Sequence, residues 1–333
     1  MRAFLWILTV CSLGLAGCKA APRPFPAPDE TRVIAEPIRA EFHPPEGQPI
    51  RERSTQTRVE APSGGAPATE VLEAEMESTF TRDGEDWRLV QRVPSVKLTE
   101  NGTEVQNELA QLVTKFPITV RIASDGSFVE LLNAEEIETA LREAFPDPRM
   151  QEMVLSSFTP QAVEQEAKSE WTSKYGDLLG RDLRAGMAFY TVESVGTSRG
   201  DVAFVLERKV TGTRLGDEGR EVVFELSCPT KAEKAANPEA AQQALTAKGN
   251  PELEPSVKCK GSQVLGLEPF VPRSTQLEVN ALLGADTKEP LEMIFTRKVQ
   301  TEKVGAAAAH ELSVDRTHGA SGHGLEREPD LDR

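Results

Sequence analysis

From Val71 onward, apolar and polar residues alternate along the chain. Leu72, Ala74, Met76 and Phe80 interleave with Glu73, Glu75 and Glu77. A period of two predicts a strand with one buried and one wet face. Asp83-Gly84 supplies a hairpin turn, and Trp87, Leu89 and Val93 continue in strand register. Asn101-Gly102 is a second and stronger hairpin signal. From Glu104 to Val113 two patterns compete. Val105, Leu109, Leu112 and Val113 share a helical face, whereas the preceding Asn-Gly argues for a strand. Ile118, Val120 and Ile122 alternate, and Asp125-Gly126 turns the chain into another strand over Ser127 to Leu132.

The period then lengthens. Asn133 with Glu136 three residues on resembles a capping box. Ile137, Ala140, Leu141, Ala144 and Phe145 form an apolar stripe that Pro146 ends. Asp147-Pro148 and Thr159-Pro160 each place a capping residue before a proline at the first helical position. The third helix buries Val163, Ala167, Trp171 and Tyr175, and Gly176 closes it. The helical block thus covers 134–175, and the carboxylates Glu164, Glu166 and Glu170 read as its solvated face.

Strand patterns return with Phe189, Tyr190 and Val192, then Val202 to Val210, then Val222, Phe224, Leu226 and Cys228. Turns fall at Gly200-Asp201 and Asp217 to Gly219. Two further strands cover Gln276 to Leu283 and Leu291 to Val299. Between these groups, Lys231 to Lys248 is rich in Ala and charge, with a short helix opened by Asn237-Pro238 and ended by Gly249.

Both flanks lack periodicity. Ten of the 23 prolines lie between Lys19 and Glu70. Residues 18–70 therefore read as an extended, solvated tether, outside a β-rich domain over 71–304. Residues 305–333, rich in Ala, Gly, His and acid, read as a disordered tail.

The first 17 residues carry one charge, Arg2, followed by an apolar run ending in Leu15-Ala16-Gly17-Cys18. A span of this length is too short for a bilayer, which needs about 20 residues, and fits a cleaved signal peptide. The four residues resemble the lipobox of bacterial lipoproteins. That resemblance implies diacylglyceryl transfer to Cys18, cleavage before it, and acylation of the new amino terminus. Two or three acyl chains make a stable anchor, at about 0.8 kcal/mol per buried CH₂. Lys19 follows, where an Asp would favour the inner membrane, so the implied location is the outer membrane facing the periplasm.

The chain's net charge is −15, and loss of Arg2 with the signal makes it −16. Such a chain suits neither a phosphate backbone nor an anionic lipid surface, so membrane contact is assigned to the acyl chains and nucleic acid is not an expected partner. Cys11 leaves with the signal and Cys18 is acylated. Cys228 and Cys259 remain, and in an oxidising compartment they are expected to form a disulfide that clips an insert over 229–258 to the domain.

Catalytic chemistry is sparse. The four histidines are His43, His310, His318 and His323, none between Val71 and Val304. Ser–His–Asp and Cys–His catalysis and the usual zinc sites therefore have no material there. No phosphate-binding or dinucleotide-binding glycine loop and no Ser-x-x-Lys pair occurs. No enzyme, cofactor or metal is expected.

The order of the elements is strands joined by Asp-Gly and Asn-Gly turns, three short helices, then more strands. It resembles the half-barrel of periplasmic lipoprotein carriers of the LolA/LolB type and of mycobacterial lipid-binding lipoproteins. The resemblance implies an α+β fold in which short helices pack on one face of a curved antiparallel sheet. It leaves two expectations for function. One is an anchored envelope lipoprotein holding an apolar ligand or lipid, with Trp171, Tyr175 and Phe158 as candidate lining. The other is a structural or assembly lipoprotein that contacts another envelope protein.

Overall fold

The computed structural model describes residues 37–106, 111–176, 178–216, 219–229, 256–285, 287 and 289–303. The signal peptide, Cys18, the short helix expected within 231–248 and the tail lie outside the described residues.

The alternation beginning near Val71 forms β3 (Ala68–Asp83), which pairs antiparallel with β4 (Asp86–Glu100). Leu72, Ala74, Met76 and Phe80 are buried, as the period of two requires. At the Asn-Gly turn, Glu100 pairs with Thr103, which opens β5 (Thr103–Val105). Asn101 and Gly102 have φ of 49° and 82°, the two left-handed residues that a type I′ hairpin demands. Among the described residues of the segment left open between helix and strand, Glu104 and Val105 belong to strand β5, while Gln111 and Leu112 are helical. β6 (Ile118–Ile122) and β7 (Phe128–Leu131) complete a five-stranded sheet in the order β3-β4-β6-β7, with β5 on β4.

Three helices follow: α1 (Ala134–Ala144), α2 (Pro148–Ser157) and α3 (Pro160–Trp171), with a π-helical turn over Thr172–Gly176. Asp147 accepts from the N–H of Arg149 and Met150, and Thr159 from that of Ala162, as N-caps do. The capping box at Asn133 does not form. Its amide is taken instead by β6, accepting from Thr119 N at 2.9 Å and donating to Pro117 O at 2.7 Å.

A seven-stranded antiparallel sheet follows the order β2-β14-β13-β12-β11-β10-β9. Its members are β2 (Ile50–Pro62), β9 (Ala188–Thr197), β10 (Gly200–Gly216), β11 (Gly219–Ser227), β12 (Ser256–Leu267), β13 (Phe270–Leu283) and β14 (Leu291–Lys303). The remaining strands, β1 (Ile38–Arg39) and β8 (Asp182–Leu183), pair only with each other. The result is a large antiparallel sheet system with a few short helices, not closed into a barrel.

Two boundaries differ from the sequence expectation. Residues 50–62 are not tether but the strand β2, paired along its whole length with β14. Its inward positions Glu52, Ser54 and Gln56 are polar yet buried, so no apolar alternation betrays it. The insert likewise ends earlier than 258, because β12 starts at Ser256. β2 leads into β3 through a turn, and the ion pairs Arg51–Glu77 (2.6 Å), Arg53–Glu75 (3.0 Å) and Arg58–Glu70 (2.7 Å) run between the two strands, one at the edge of each sheet.

Among the described residues the core has two large parts and a small third one, Tyr190 with Val205. One cluster joins β3, β4 and β6 to the helices through Ile137, Leu141, Phe158, Val163 and Trp171, and includes Phe224 and Phe270. The other lies within the seven-stranded sheet, around Phe204, Leu277, Val279, Met293 and Phe295.

Candidate ligand chamber

What separates the two clusters is polar. Residues paired across a ladder share a face. One transverse row of the seven-stranded sheet runs Arg208, Leu226, Gly261, Leu277, Arg297, Gln56. The next runs Val210, Phe224, Gln263, Thr275, Val299, Ser54. Arg208, Thr275, Gln56 and Ser54 are buried, as are Glu52 on β2 and Thr191 on β9. Buried polar groups at this density are the informative exception in a β interior.

A cavity of about 280 Å³ opens along this belt. Every strand of the seven contributes to its wall: Glu52, Arg297, Thr275, Gln263, Leu226, Arg208 and Thr191 come from seven successive strands of the sheet. Glu166, Ser169 and Glu170 of α3, and Lys174 of the π turn, complete it. Apolar side chains such as Leu206, Leu226 and Val299 alternate with the charged ones.

Ion pairs organise the wall. Lys174 Nζ donates to Glu52 at 2.7 Å, joining the π turn to β2. Arg297 Nη1 donates to Glu193 at 3.2 Å, joining β14 to β9. Arg208 Nη1 donates to the carbonyl of Lys174 at 3.4 Å. Some buried polar atoms of the belt find no hydrogen-bond partner among the described residues: Thr191 Oγ1, Gln263 Oε1 and Arg297 Nε.

Charge states follow from this setting. Burial pushes the Glu170 carboxyl up to about 8, Lys174 opposing the rise and Glu52 and Glu166 adding to it. Glu170 is therefore protonated at neutral pH and can both donate and accept. Burial pulls the Lys174 ammonium down, but Glu52 and its neighbours outweigh that and hold it above its ordinary range. Burial pushes the Tyr175 phenol up to about 12.

Trp171 and Tyr175 meet at 4.4 Å between ring centroids and belong to the core. Phe42 and Phe80 pack edge-on to Trp171 at 5.8 and 6.5 Å. Trp171 and Tyr175 line a void of about 30 Å³, space for a water. Phe158 is buried in the same core and borders neither cavity. Cys228 and Cys259 are bonded, with Cα atoms 5.1 Å apart. They face each other one step beyond the Ser227–Lys260 pair of β11 and β12.

Sequence reasoning missed the belt. Glu166 and Glu170, taken as a solvated face, line the cavity. One signal was present: Arg208 sits in the apolar phase of the Val202, Phe204, Leu206, Val210 alternation, and Arg297 lies between Phe295 and Val299. Among the described residues no three His, Cys, Asp or Glu side chains gather as a metal site would need. Nor is any described helix long and apolar enough to cross a membrane.

No protein-family model and no curated protein matches the chain. Among solved structures, lipovitellin, in a study of its lipid–protein interactions, is similar over 80% of this chain and 26% of its own, at 11% identity and a TM-score of 0.38. The chain thus spans about a quarter of lipovitellin's length. An exported protein of Bacteroides fragilis with a YmcC-like fold is similar over 78% of this chain and 98% of its own, at 10% identity and a TM-score of 0.17. DynF of the dynemicin biosynthesis pathway of Micromonospora chersina is similar over 89% of this chain and 97% of its own, at 9% identity and a TM-score of 0.17. Likenesses this weak assign neither the fold nor a role.

Proposed function

We propose that this protein is a lipid-anchored binding protein of the bacterial cell envelope, held in the outer membrane by acyl chains on Cys18 and carrying its ligand inside the domain. In this reading the sheet curves as a half-barrel and the helical block packs on its concave face. The supporting observation is the cavity of about 280 Å³ walled by seven strands and α3. An interior filled only for stability would not interrupt its apolar core with buried Arg, Glu and Thr. The ligand site expected around Trp171, Tyr175 and Phe158 moves to this chamber, because Trp171 and Tyr175 pack against each other and all three are buried in the core. The ligand is correspondingly not a bare acyl chain.

Two measurements test the proposal. A native mass spectrum of the protein purified from its own envelope should show a retained small molecule, and a bare chain removes the binding role. Cys18→Ala should block acylation and processing. A variant still cleaved after Gly17 and released in mature form would assign an ordinary signal peptide and end the anchor reading.

A further inference from the structure

Resting on the binding role above, we propose that the chamber takes an uncharged, polyhydroxylated molecule the size of a monosaccharide, its hydroxyls bonded around the wall and its C–H face laid on aliphatic side chains. Three features of the chamber support this.

The first is charge balance. Lys174, Arg208 and Arg297 line the cavity, and so do Glu52, Glu166 and Glu193. Lys174 is paired with Glu52 at 2.7 Å and Arg297 with Glu193 at 3.2 Å. Arg208 donates to the Lys174 carbonyl at 3.4 Å, and neither it nor Glu166 is free. Glu170, which also lines the cavity, is neutral at pH 7 because burial raises its carboxyl to about 8. Three cations therefore stand against three carboxylates, and none is left over for a ligand. A charged ligand would have to break one of these pairs or be buried without a counter-charge. An uncharged one does neither.

The second is unmet hydrogen bonding on several sides. Thr191 Oγ1, Gln263 Oε1 and Arg297 Nε are buried without a hydrogen-bond partner among the described residues, and all three residues line the cavity. Thr191 is only 7% exposed. The first atom donates and accepts, the second only accepts, and the third only donates. They belong to β9, β12 and β14. β14 lies five places from β9 in the strand order, yet Arg297 reaches Glu193 of β9, so the three residues stand around the chamber rather than along one side. A hydroxyl both donates and accepts, so a ring bearing several of them serves donor and acceptor in every direction. A ligand with a single polar end serves one side only, and an alkyl chain serves none.

The third is size and surface. The cavity of about 280 Å³ holds about nine waters at about 30 Å³ each, the bulk of one sugar ring with its hydroxyls. Leu206, Leu226 and Val299 line it between the polar groups and offer the apolar surface on which a ring's C–H face is buried.

Calorimetric titration of the purified full-length protein at about pH 6 tests the class, with Glu170 still protonated. The probes are D-glucose, D-galactose and D-mannose. The controls are the uronate and the 2-amino-2-deoxy form of each, which keep the ring and add one negative or one positive charge. At least one hexose should bind saturably, and at least about tenfold more tightly than both of its charged forms. Thr191→Val should weaken that binding several-fold without lowering the thermal midpoint, since it removes a hydroxyl the free protein leaves unpaired. Equal binding of a charged form, or an unchanged affinity in Thr191→Val, overturns the proposal. So does the absence of saturable heat from all three hexoses up to about 10 mM, which would leave the chamber to water or to another solute. In each case a small molecule retained in the native mass spectrum would leave the binding role standing and place its ligand in another class.

Discussion

Glu60 of β2 accepts hydrogen bonds from the backbone N–H of Ser198 at 3.0 and 3.1 Å, and from its hydroxyl. The two residues belong to opposite edges of the seven-stranded sheet, since Ser198 is in the turn from β9 to β10. The edges therefore meet through side chains. Arg58 reinforces the junction by donating to the Gly196 carbonyl while paired with Glu70, and Arg297 with Glu193 adds a second bridge. Among the described residues no backbone ladder joins the two edges, so the sheet stays open and these side chains link them.

Removing this junction should be measurable. Glu60 is 7% exposed but Ser198 is exposed, so after Glu60→Ala water can take the place of the acceptor while the link to the β9–β10 turn is lost. The expected loss is about 1–2 kcal/mol by urea denaturation. Glu60→Gln keeps an acceptor and should lose less. Glu302, whose side chain is 53% exposed where it meets Arg53, is the control, and Glu302→Ala should change stability by no more than about 0.5 kcal/mol.

Stability should fall as pH rises through neutrality, and Glu170 is the reason. Its carboxyl is raised from 4.5 to about 8 in the folded protein, first by burial. The native state then holds a proton that the unfolded chain releases, so the contribution is intact below about pH 4.5 and lost progressively as pH rises to about 8. Glu170→Gln should flatten this slope and make the protein more stable than wild type above pH 8. Equal slopes for the two proteins, from thermal midpoints between pH 5 and 9, would contradict it.

The disulfide makes a third expectation. Cys228 and Cys259 are 31 residues apart in sequence, and closing a loop of that size in the unfolded chain is worth about 3–4 kcal/mol. Cys228→Ser with Cys259→Ser should cost that much in guanidinium denaturation. The double substitution should leave ligand retention in the native mass spectrum unchanged, because neither cysteine borders the chamber.

Legibility in the sequence followed the chemistry of each buried face. β3, β4 and β6 announce themselves because their inward residues are Leu, Met, Phe, Val and Ile, and the Asn101-Gly102 turn because only left-handed residues fit it. Asp147 and Thr159 cap as their prolines suggest. β2 stayed hidden because Glu52, Ser54 and Gln56 occupy its inward positions, and hydropathy cannot tell a buried polar face from a solvated one. The same blindness hid the chamber. A period-two pattern says which residues face inward only if the interior is apolar, and here a belt of it is not. Asn133 shows the converse case: its local sequence fits a cap, but β6 competes for the amide and wins.

Trp171 and Gly126 should prove energetically coupled. Trp171 Nε1 donates to the Gly126 carbonyl at 2.9 Å, tying the end of α3 to the turn between β6 and β7. Gly126 holds φ at +88°, and a Cβ there would lie 2.5 Å from Leu179 Cδ1 and 2.9 Å from Phe42. Alanine at 126 therefore strains the backbone and pushes on Phe42, the ring that also contacts Trp171 at 5.8 Å. Three effects follow. Trp171→Ala empties a core site and should cost about 3–5 kcal/mol. Trp171→Phe keeps most of the packing but abandons the Gly126 carbonyl, costing about 1–3 kcal/mol. Gly126→Ala should cost about 1–3 kcal/mol from strain and overpacking. The decisive quantity is the double variant. Once Gly126→Ala has displaced the carbonyl and Phe42, Trp171→Phe has less left to remove, so the combined loss should fall short of the sum by at least about 0.5 kcal/mol. Strict additivity would mean that the helical block and the β6–β7 turn are held together by contacts other than this one.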